Sequence, residues 1–379
     1  MKFASKKVMT GLMVGAMGLS IWAPTSEAAP ANNKYYSINL KADTNKVWDV
    51  QGESTDLGLI LLYNGSRGDN EQFAFFPLDG GLYAIVNRNS GKSVMSAAKS
   101  VMGSVLFQNS WIGDSTQKWY LRDQGSNNYE IVNQGFGKVA SWGWNGILGP
   151  ASQEFVDLDN SNPSDSNNVF FIGNSYGTFS LPTLPAIGTR PNAPDYNKSG
   201  AIDQQLPQTS ESVVVGASLI PCIMVQDNQA SDYTKIHNSP YYVLVKEEYW
   251  EKAYSDIIPA GGSRKYTLKT GVSTVDQQKM TDTLSMSFGA DLGFKFKDAT
   301  ASIKTSITKT LQTEASTTNT EATEETTEKI APSIPGKDTG FTEYQLKTKY
   351  TLKRTDGSAV SEPWIVKDPK QTLPRTIAK

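Results

Sequence analysis

At 379 residues the chain is long enough for two domains, each able to bury a core. Its 36 basic and 38 acidic residues leave a net charge of -2, which excludes a built-in field for nucleic acid or anionic lipid. The single cysteine, Cys222, rules out an intramolecular disulfide, and the single histidine, His237, rules out a metal cluster built on histidines. With 31 glycines and abundant Ser, Thr and Asn, the composition suits many short strands and turns, so the expected fold class is all-β with no cofactor.

Residues 1–28 read as an export signal. Lys2, Lys6 and Lys7 precede an apolar run from Val8 to Ala23, and Ser26-Glu27-Ala28 places small residues at the two positions signal peptidase reads. The mature chain is expected to begin near Ala29 and to be secreted.

Residues 29–176 carry an internal repeat. "YSINLKADTNKVWDV", "YAIVNRNSGKSVMSA" and "YEIVNQGFGKVASWG" align with Lys46, Lys92 and Lys138 at a constant spacing of 46 residues. Downstream of each comes Glu71-Gln-Phe73, Gln117-Lys-Trp119 or Asn168-Val-Phe170, the third offset by the insertion "DNSNPSDSNN". Three β-rich units, none able to bury its own apolar face, imply a closed pseudo-threefold β structure. The region resembles the ricin-B-type lectin family, a β-trefoil whose units end in Gln-x-Trp, a motif kept intact only at Gln117-Lys118-Trp119. The resemblance implies a glycan site in the first unit built from Asp49, Tyr63 and Asn70: a carboxylate for vicinal hydroxyls, an aromatic face and an amide. Met95 and Ser141 stand in place of that aspartate in the second and third units, and Glu71 replaces the motif glutamine. The second unit retains Trp111 and Gln117, and the third has Asp157 and Asp159 near its insertion. On the residues alone, Asp49 could equally be a turn residue, Tyr63 packing and Asn70 a loop cap.

Residues 177–208 are rich in Pro, Gly and Asn and read as a linker or strap. Beyond it, residues 209–379 form a second domain with strand-like runs "SVVVGASLIPCIMV", "YYVLVKEEYWEKAYS", "RKYTLKTGVST" and "YQLKTKYTLKR". Within these, Cys222 is expected to be a small buried hydrophobe, and "VKEEYWEKAYS" fits a helical turn or an edge strand. His237 reads as a surface or hinge residue. The Thr- and Glu-rich stretch from Thr305 to Lys329 reads either as a low-complexity linker or as a long solvated strand.

Between them lies "SMSFGADLGFKFKDATASIKTSITKT". Leu284, Met286, Phe288, Ala290, Leu292, Phe294 and Phe296 take even positions; after Asp298 the apolar set moves to odd ones, Ala299, Ala301, Ile303, Ile307 and Leu311. Period two predicts strands, and a turn at Lys297-Asp298 would pair Phe296 with Ala299, Phe294 with Ala301, Leu292 with Ile303 and Phe288 with Ile307, all on one face. Such a hairpin could cover a soluble core. It could equally insert in a membrane, since arms of 11 residues match the roughly 9 to 11 of a transmembrane strand. A single inserted hairpin has unsatisfied edges, so insertion requires a homo-oligomeric barrel.

The order of trefoil, Pro-rich junction and the block "YYVLVKEEYW" through "DTLSMSFGADLGF" resembles the binary-toxin-like pesticidal proteins of spore-forming bacteria, whose C-terminal domain is aerolysin-like. The resemblance implies insecticidal, including mosquitocidal, pore formation on a target-cell membrane. It also implies recognition of a glycan or glycosylated receptor by the trefoil, trimming by gut proteases and a second toxin component as a further candidate partner. Many relatives accumulate as parasporal crystals, which is the alternative to secretion. The alternative function is a non-lytic lectin or adhesin. An enzyme would need a carboxylate pair about 5 to 10 Å apart in a cleft, and no motif supplies one.

Overall fold

The structure is a computed structural model that describes residues 30–97, 105–144 and 153–379. The expected export signal lies outside the described residues. The repeat folds as three hairpins, Lys46–Val50 with Gly58–Asn64, Ser93–Ser96 with Leu106–Asn109, and Val139–Trp144 with Glu154–Asp159, set over a barrel of the remaining strands of this half. The constant spacing has a packing cause. Two residues after each repeat lysine come Trp48, Val94 and Ala140, and the last residues of the Gln-x-Trp equivalents are Phe73, Trp119 and Phe170; all six are fully buried in one core. Trp48 meets Phe73 and Phe170 edge-on at 6.1 and 5.5 Å, so the larger ring of the first unit fills space that Val94 and Ala140 leave.

The second domain runs β1 (Val213–Pro221), α1 (Asp232–Asn238), β2 (Tyr241–Ile258), β3 (Ser263–Val272), α2 (Thr274–Leu284), β4 (Met286–Phe288), β5 (Phe294–Phe296), α3 (Asp298–Ala301), α4 (Lys304–Leu311), β6 (Glu325–Pro332), β7 (Thr339–Lys353) and β8 (Trp364–Ala378). Six of these strands form an antiparallel sheet in the order β1-β2-β7-β8-β3-β6. β2, read above as a helical turn or edge, is internal, paired with β1 on one side and along its length with β7 on the other. The alternation of Val243, Val245, Tyr249 and Glu251 with their neighbours is that of a strand, and cross-strand pairing overrides the helix-favouring Glu and Lys. The Pro-rich segment runs along this sheet as a strap: Trp250 donates its indole N–H to Pro191 O at 2.9 Å, and Ala193, Tyr196 and Leu206 pack on Trp250, Tyr344 and Leu346.

The trefoil and the sheet share one apolar cluster. Tyr35 and Phe76 from the barrel wall meet Phe179 of the strap and Tyr241 of β2, with Phe76 and Tyr241 rings 5.2 Å apart. At the polar margin, Lys92 and Ser110 of the second unit reach Asp232 of α1.

The long hairpin expected over 286–309 is not formed in this structure. β4 and β5 pair in a short register, Met286 with Phe296 and Phe288 with Phe294, and the chain turns at Gly289–Gly293 instead of Lys297-Asp298. Leu292 takes φ 60°, Asp291 accepts from Gly293 N and Thr317 N, and Gly293 abuts Ser316 so closely that a Cβ would lie 2.7 Å from its backbone N. None of the four expected pairs exists, and Asp291 is engaged by Thr317. Lys297-Asp298 instead opens α3, and 304–311 is helical. The reason lies in spacing: Ile303, Ile307 and Leu311 are four apart, so they share a face in a strand and in a helix alike. The Thr-rich stretch is neither linker nor single strand; it divides into α4, an irregular crossing to Glu324 and β6.

One buried ion pair ties the loop after β1 to the end of β7. Arg354 donates through Nε and Nη2 to both oxygens of Asp227 at 2.7 and 2.8 Å, and Tyr242 OH adds a third bond at 3.0 Å. Arg354→Met should destabilise the C-terminal domain by about 3–5 kcal/mol, since it strands a buried carboxylate. Urea unfolding followed by tryptophan fluorescence measures this, and a loss below about 1 kcal/mol would contradict it.

Candidate functional site

The first trefoil unit brings its three expected residues together. Asp49 lies on the Lys46–Val50 strand opposite Leu61, and Tyr63, two residues further along the partner strand, faces the same way. Asn70 donates its side-chain amide to Asp49 Oδ2 at 2.8 Å, while Asn87 holds Asn70 by its carbonyl at 2.9 Å. Asp49 and Asn70 are buried to within 8% and 6% exposure, whereas Tyr63 stands 62% exposed. Burial, and then the neighbouring Glu71 carboxylate, push the Asp49 carboxyl up to about 6. Glu71 itself is consumed by the Ser66-Arg67 turn, accepting Ser66 N, Ser66 Oγ and Arg67 N. It does locally what the family's glutamine does in the second unit, where Gln117 accepts Ile112 N at 2.8 Å and donates to Ser110 O at 2.9 Å. A rigid carboxylate–amide pair beside a projecting aromatic ring can bind vicinal hydroxyls and stack the apolar face of a sugar. On the far side of Glu71 opens a polar cleft of about 500 Å³, lined by Asn45, Asn64, Arg67, Asn174 and Tyr176 among others.

The other two units do not repeat the arrangement. Trp111 of the second is buried and donates its indole N–H to Ala299 O of α3 at 3.1 Å, so the aromatic available for a sugar is spent on the second domain. In the third, Ser141 Oγ donates to Asn168 Oδ1 at 2.8 Å, and Asp157 lies directly across from Ser141. Burial, then Asp159, push the Asp157 carboxyl up to about 6. Trp142 is 39% exposed, but it sits one position out of phase with Ser141 and so on the other face.

The amphipathic segment forms a second candidate region. Met286, Phe288, Phe294, Ile303 and Ile307 are buried; Leu292, Phe296 and Ala299 are half-buried, and Ala301 is exposed. Phe288, Phe294 and Tyr350 of β7 form a three-ring contact with centroids 5.1 to 5.5 Å apart. Gln277 of α2, not singled out from the sequence, holds this package: its amide accepts Phe288 N at 2.8 Å and donates to Phe288 O and Ala322 O. A buried glutamine inside an otherwise polar helical run carries no local signal of such a role. His237, at the end of α1, is exposed and stacks on Tyr233; burial pushes the Cys222 thiol up to about 12, leaving it inert. No helix among the described residues is long and apolar enough to cross a membrane, which says nothing of a β-barrel.

A three-unit lectin-like trefoil joined through a strap to an elongated antiparallel sheet, with an amphipathic segment folded away between them, defines a two-part all-β architecture. Family models match accordingly: Insecticidal Crystal Toxin, P42, over residues 213–379, and Ricin-type beta-trefoil lectin domain-like over 69–146. The similarity to larvicidal and insecticidal proteins extends over nearly the whole chain. It is 29% identical to the binary larvicide subunit BinA of Lysinibacillus sphaericus over 358 residues, covering 92% of this chain and 91% of the relative. The binary larvicide subunit BinB of the same organism is 32% identical over 208 residues, 54% of this chain and 45% of the relative. Insecticidal crystal protein Cry35Ab1 of Bacillus thuringiensis is 28% identical over 72% of this chain and 74% of its own length. The crystal structure of Cry35Ab1 superposes with a TM-score of 0.79 at 22% identity, over 92% of this chain and 90% of that one, sharing the fold.

The raised Asp49 carboxyl fixes a pH signature. The folded state holds this proton more tightly than the unfolded chain does, so ionised Asp49 subtracts from stability above about pH 6, and the cost fades as the pH falls toward the ordinary carboxylate range. Asp49→Asn keeps the Asn70 bond and should stabilise the trefoil at pH 7 by roughly 1–3 kcal/mol, with little change at pH 4. Melting curves at the two pH values check this. Equal stability of variant and parent at pH 7 would refute the assignment.

Proposed function

We propose that this protein is an insecticidal β-pore-forming toxin acting outside the cell that makes it. The trefoil attaches to a glycan or glycosylated receptor on the target membrane through Asp49, Tyr63 and Asn70. Protomers then oligomerise, and residues 286–309 leave the folded package and pair as the long hairpin of a transmembrane barrel. Release from the producing cell is by export, with a parasporal crystal as the other route.

The observation that carries the reading is the mismatch between the segment's pattern and its present conformation. Apolar residues alternate with serine, threonine, glycine and charged residues over two arms of equal length, a regularity that a short hairpin followed by two helical pieces does not require. It suits a barrel wall with lipid on one side and water on the other. The energetics permit the exchange. Burial of Met286, Phe288, Phe294, Ile303 and Ile307 contributes on the order of 10 kcal/mol, and lipid is as good a solvent as protein for these side chains. Strand pairing in a closed barrel then satisfies the backbone. The carboxylate, amide and exposed tyrosine of the first trefoil unit support attachment. The names of the BinA and BinB relatives, subunits of a binary larvicide, support a second toxin component as a partner.

The two registers of the segment exclude each other, which makes the proposal testable. Ser287 and Lys295 face each other in the short register, so Ser287→Cys with Lys295→Cys should oxidise to a disulfide that forbids the long one. Locked protein should bind membranes prepared from target gut cells yet release no trapped dye, and a reductant should restore release. Release by the oxidised protein at the parent's rate would overturn the hairpin. Binding by the parent protein with no release under any condition, protease treatment included, would leave the non-lytic lectin as the function.

A further inference from the structure

α4 is a helix with little reason of its own to be one. Its sequence, KTSITKTL, contains three threonines and an isoleucine among eight residues, all of which give up side-chain freedom in a helix. Eight residues are too few to be helical unaided. Its N-cap position is Ile303, which offers no side-chain acceptor. Thr308 and Thr310 turn their hydroxyls back onto Lys304 O and Ser306 O, and the Ser306 hydroxyl is buried without a hydrogen-bond partner.

What the helix lacks is supplied from outside, at both ends. At its start, Asp79 of the trefoil accepts Thr305 N at 2.9 Å through Oδ2 and donates its own backbone N–H to Ser302 O. Asp79 begins the short turn Asp79–Gly81 joining the barrel strands Phe73–Pro77 and Leu82–Asn87, so a carboxylate from another domain occupies the place of an N-cap. At the other end, Lys246 of β2 donates Nζ to Leu311 O at 3.1 Å and Gln312 O at 3.4 Å. The anion sits at the positive end of the helix dipole and the cation at the negative end, which is the favourable arrangement at both termini. The residues just before α4 are held by the trefoil as well. Trp111 donates to Ala299 O, and Gly113 lies so close that a Cβ there would be 2.5 Å from Ala299 Cα.

We propose that α4 is held helical by capping groups in trans, Asp79 of the trefoil and Lys246 of the sheet, and that the trefoil thereby latches the amphipathic segment in its sheltered conformation. This rests on the pore-forming reading for its purpose and not for its physics. Movement of the trefoil against the second domain, as on receptor engagement, withdraws the N-terminal cap and leaves a strand-favouring sequence free to leave the helix. Asp79 and Lys246 act as positioning residues for the segment and touch neither glycan nor lipid.

Hydrogen exchange on the full-length soluble protein, without membrane, tests the latch independently of pore formation. Loss of a helix cap corresponds to about a five- to tenfold change in a local opening equilibrium. Asp79→Ala and, separately, Lys246→Met should therefore speed exchange of the amides of 305–312 by about that factor, while those of Tyr129–Val132 in the trefoil core stay as in the parent. Unchanged exchange in 305–312 in both variants would overturn the proposal. If the alanine variant loosens the trefoil core as well, Asp79→Asn decides the question, because it keeps the turn and removes the charge. A two- to threefold faster exchange confined to 305–312 supports the latch, and parental exchange there refutes it.

Discussion

The apolar seam between the trefoil barrel and the second domain is the contact on which the rest of the molecule depends. Tyr35 and Phe76 from one side, and Phe179 and Tyr241 from the other, close it with aromatic rings 5 to 6.5 Å apart. The seam leads from there into Trp111, α3 and α4, so the burial that joins the domains also buries the amphipathic segment. A trefoil hung on a flexible tether would uncover the stretch from Ala299 to Thr305 that it now holds, and apolar surface does not stay exposed in water without consequence.

This arrangement also sorts the three trefoil units by role. They share a backbone plan and a core, but only the first sets a paired carboxylate and amide, Asp49 and Asn70, beside an exposed aromatic, Tyr63. The second is turned inward and uses its tryptophan and Lys92 to hold the other domain. The third has traded its aspartate for Ser141, whose hydroxyl is satisfied within the fold by Asn168. Pseudo-symmetry of the fold therefore coexists with asymmetry in how the three units spend their polar and aromatic side chains.

Much of this was legible in the sequence where the physics is local or periodic. The lysine spacing exposed the trefoil because the same core position recurs with it, and Asp49, Tyr63 and Asn70 could be placed because their relation is set inside one repeat. β7 and the first half of β2 announced themselves through Val, Tyr and Thr, whereas the Glu- and Lys-rich second half of β2 did not. The conformation of 286–311 was not legible, because its four-residue spacings satisfy two periodicities and the choice is made by groups 188 and 226 residues away in sequence, Trp111 and Asp79. The glycines at 289 and 293 were in view, yet only the neighbouring Ser316 backbone shows why the chain turns there. Nothing in the run "TVDQQKMTDTL" shows that Gln277 is a buried clasp, since burial of a polar residue is decided by what folds over it.

The closeness of Gly113 to α3 bears on how such proteins can be recombined. A trefoil that reads as a separate domain invites exchange between relatives. Here the trefoil is not a detachable module: its Asp79 turn, Trp111 and Gly113 are shaped to one stretch of the partner domain's backbone. A transplanted trefoil with any side chain in place of Gly113 would drive its Cβ to 2.5 Å from Ala299 Cα and could not seat as this one does. Chimeras in this architecture are therefore constrained first by the fit at the joint.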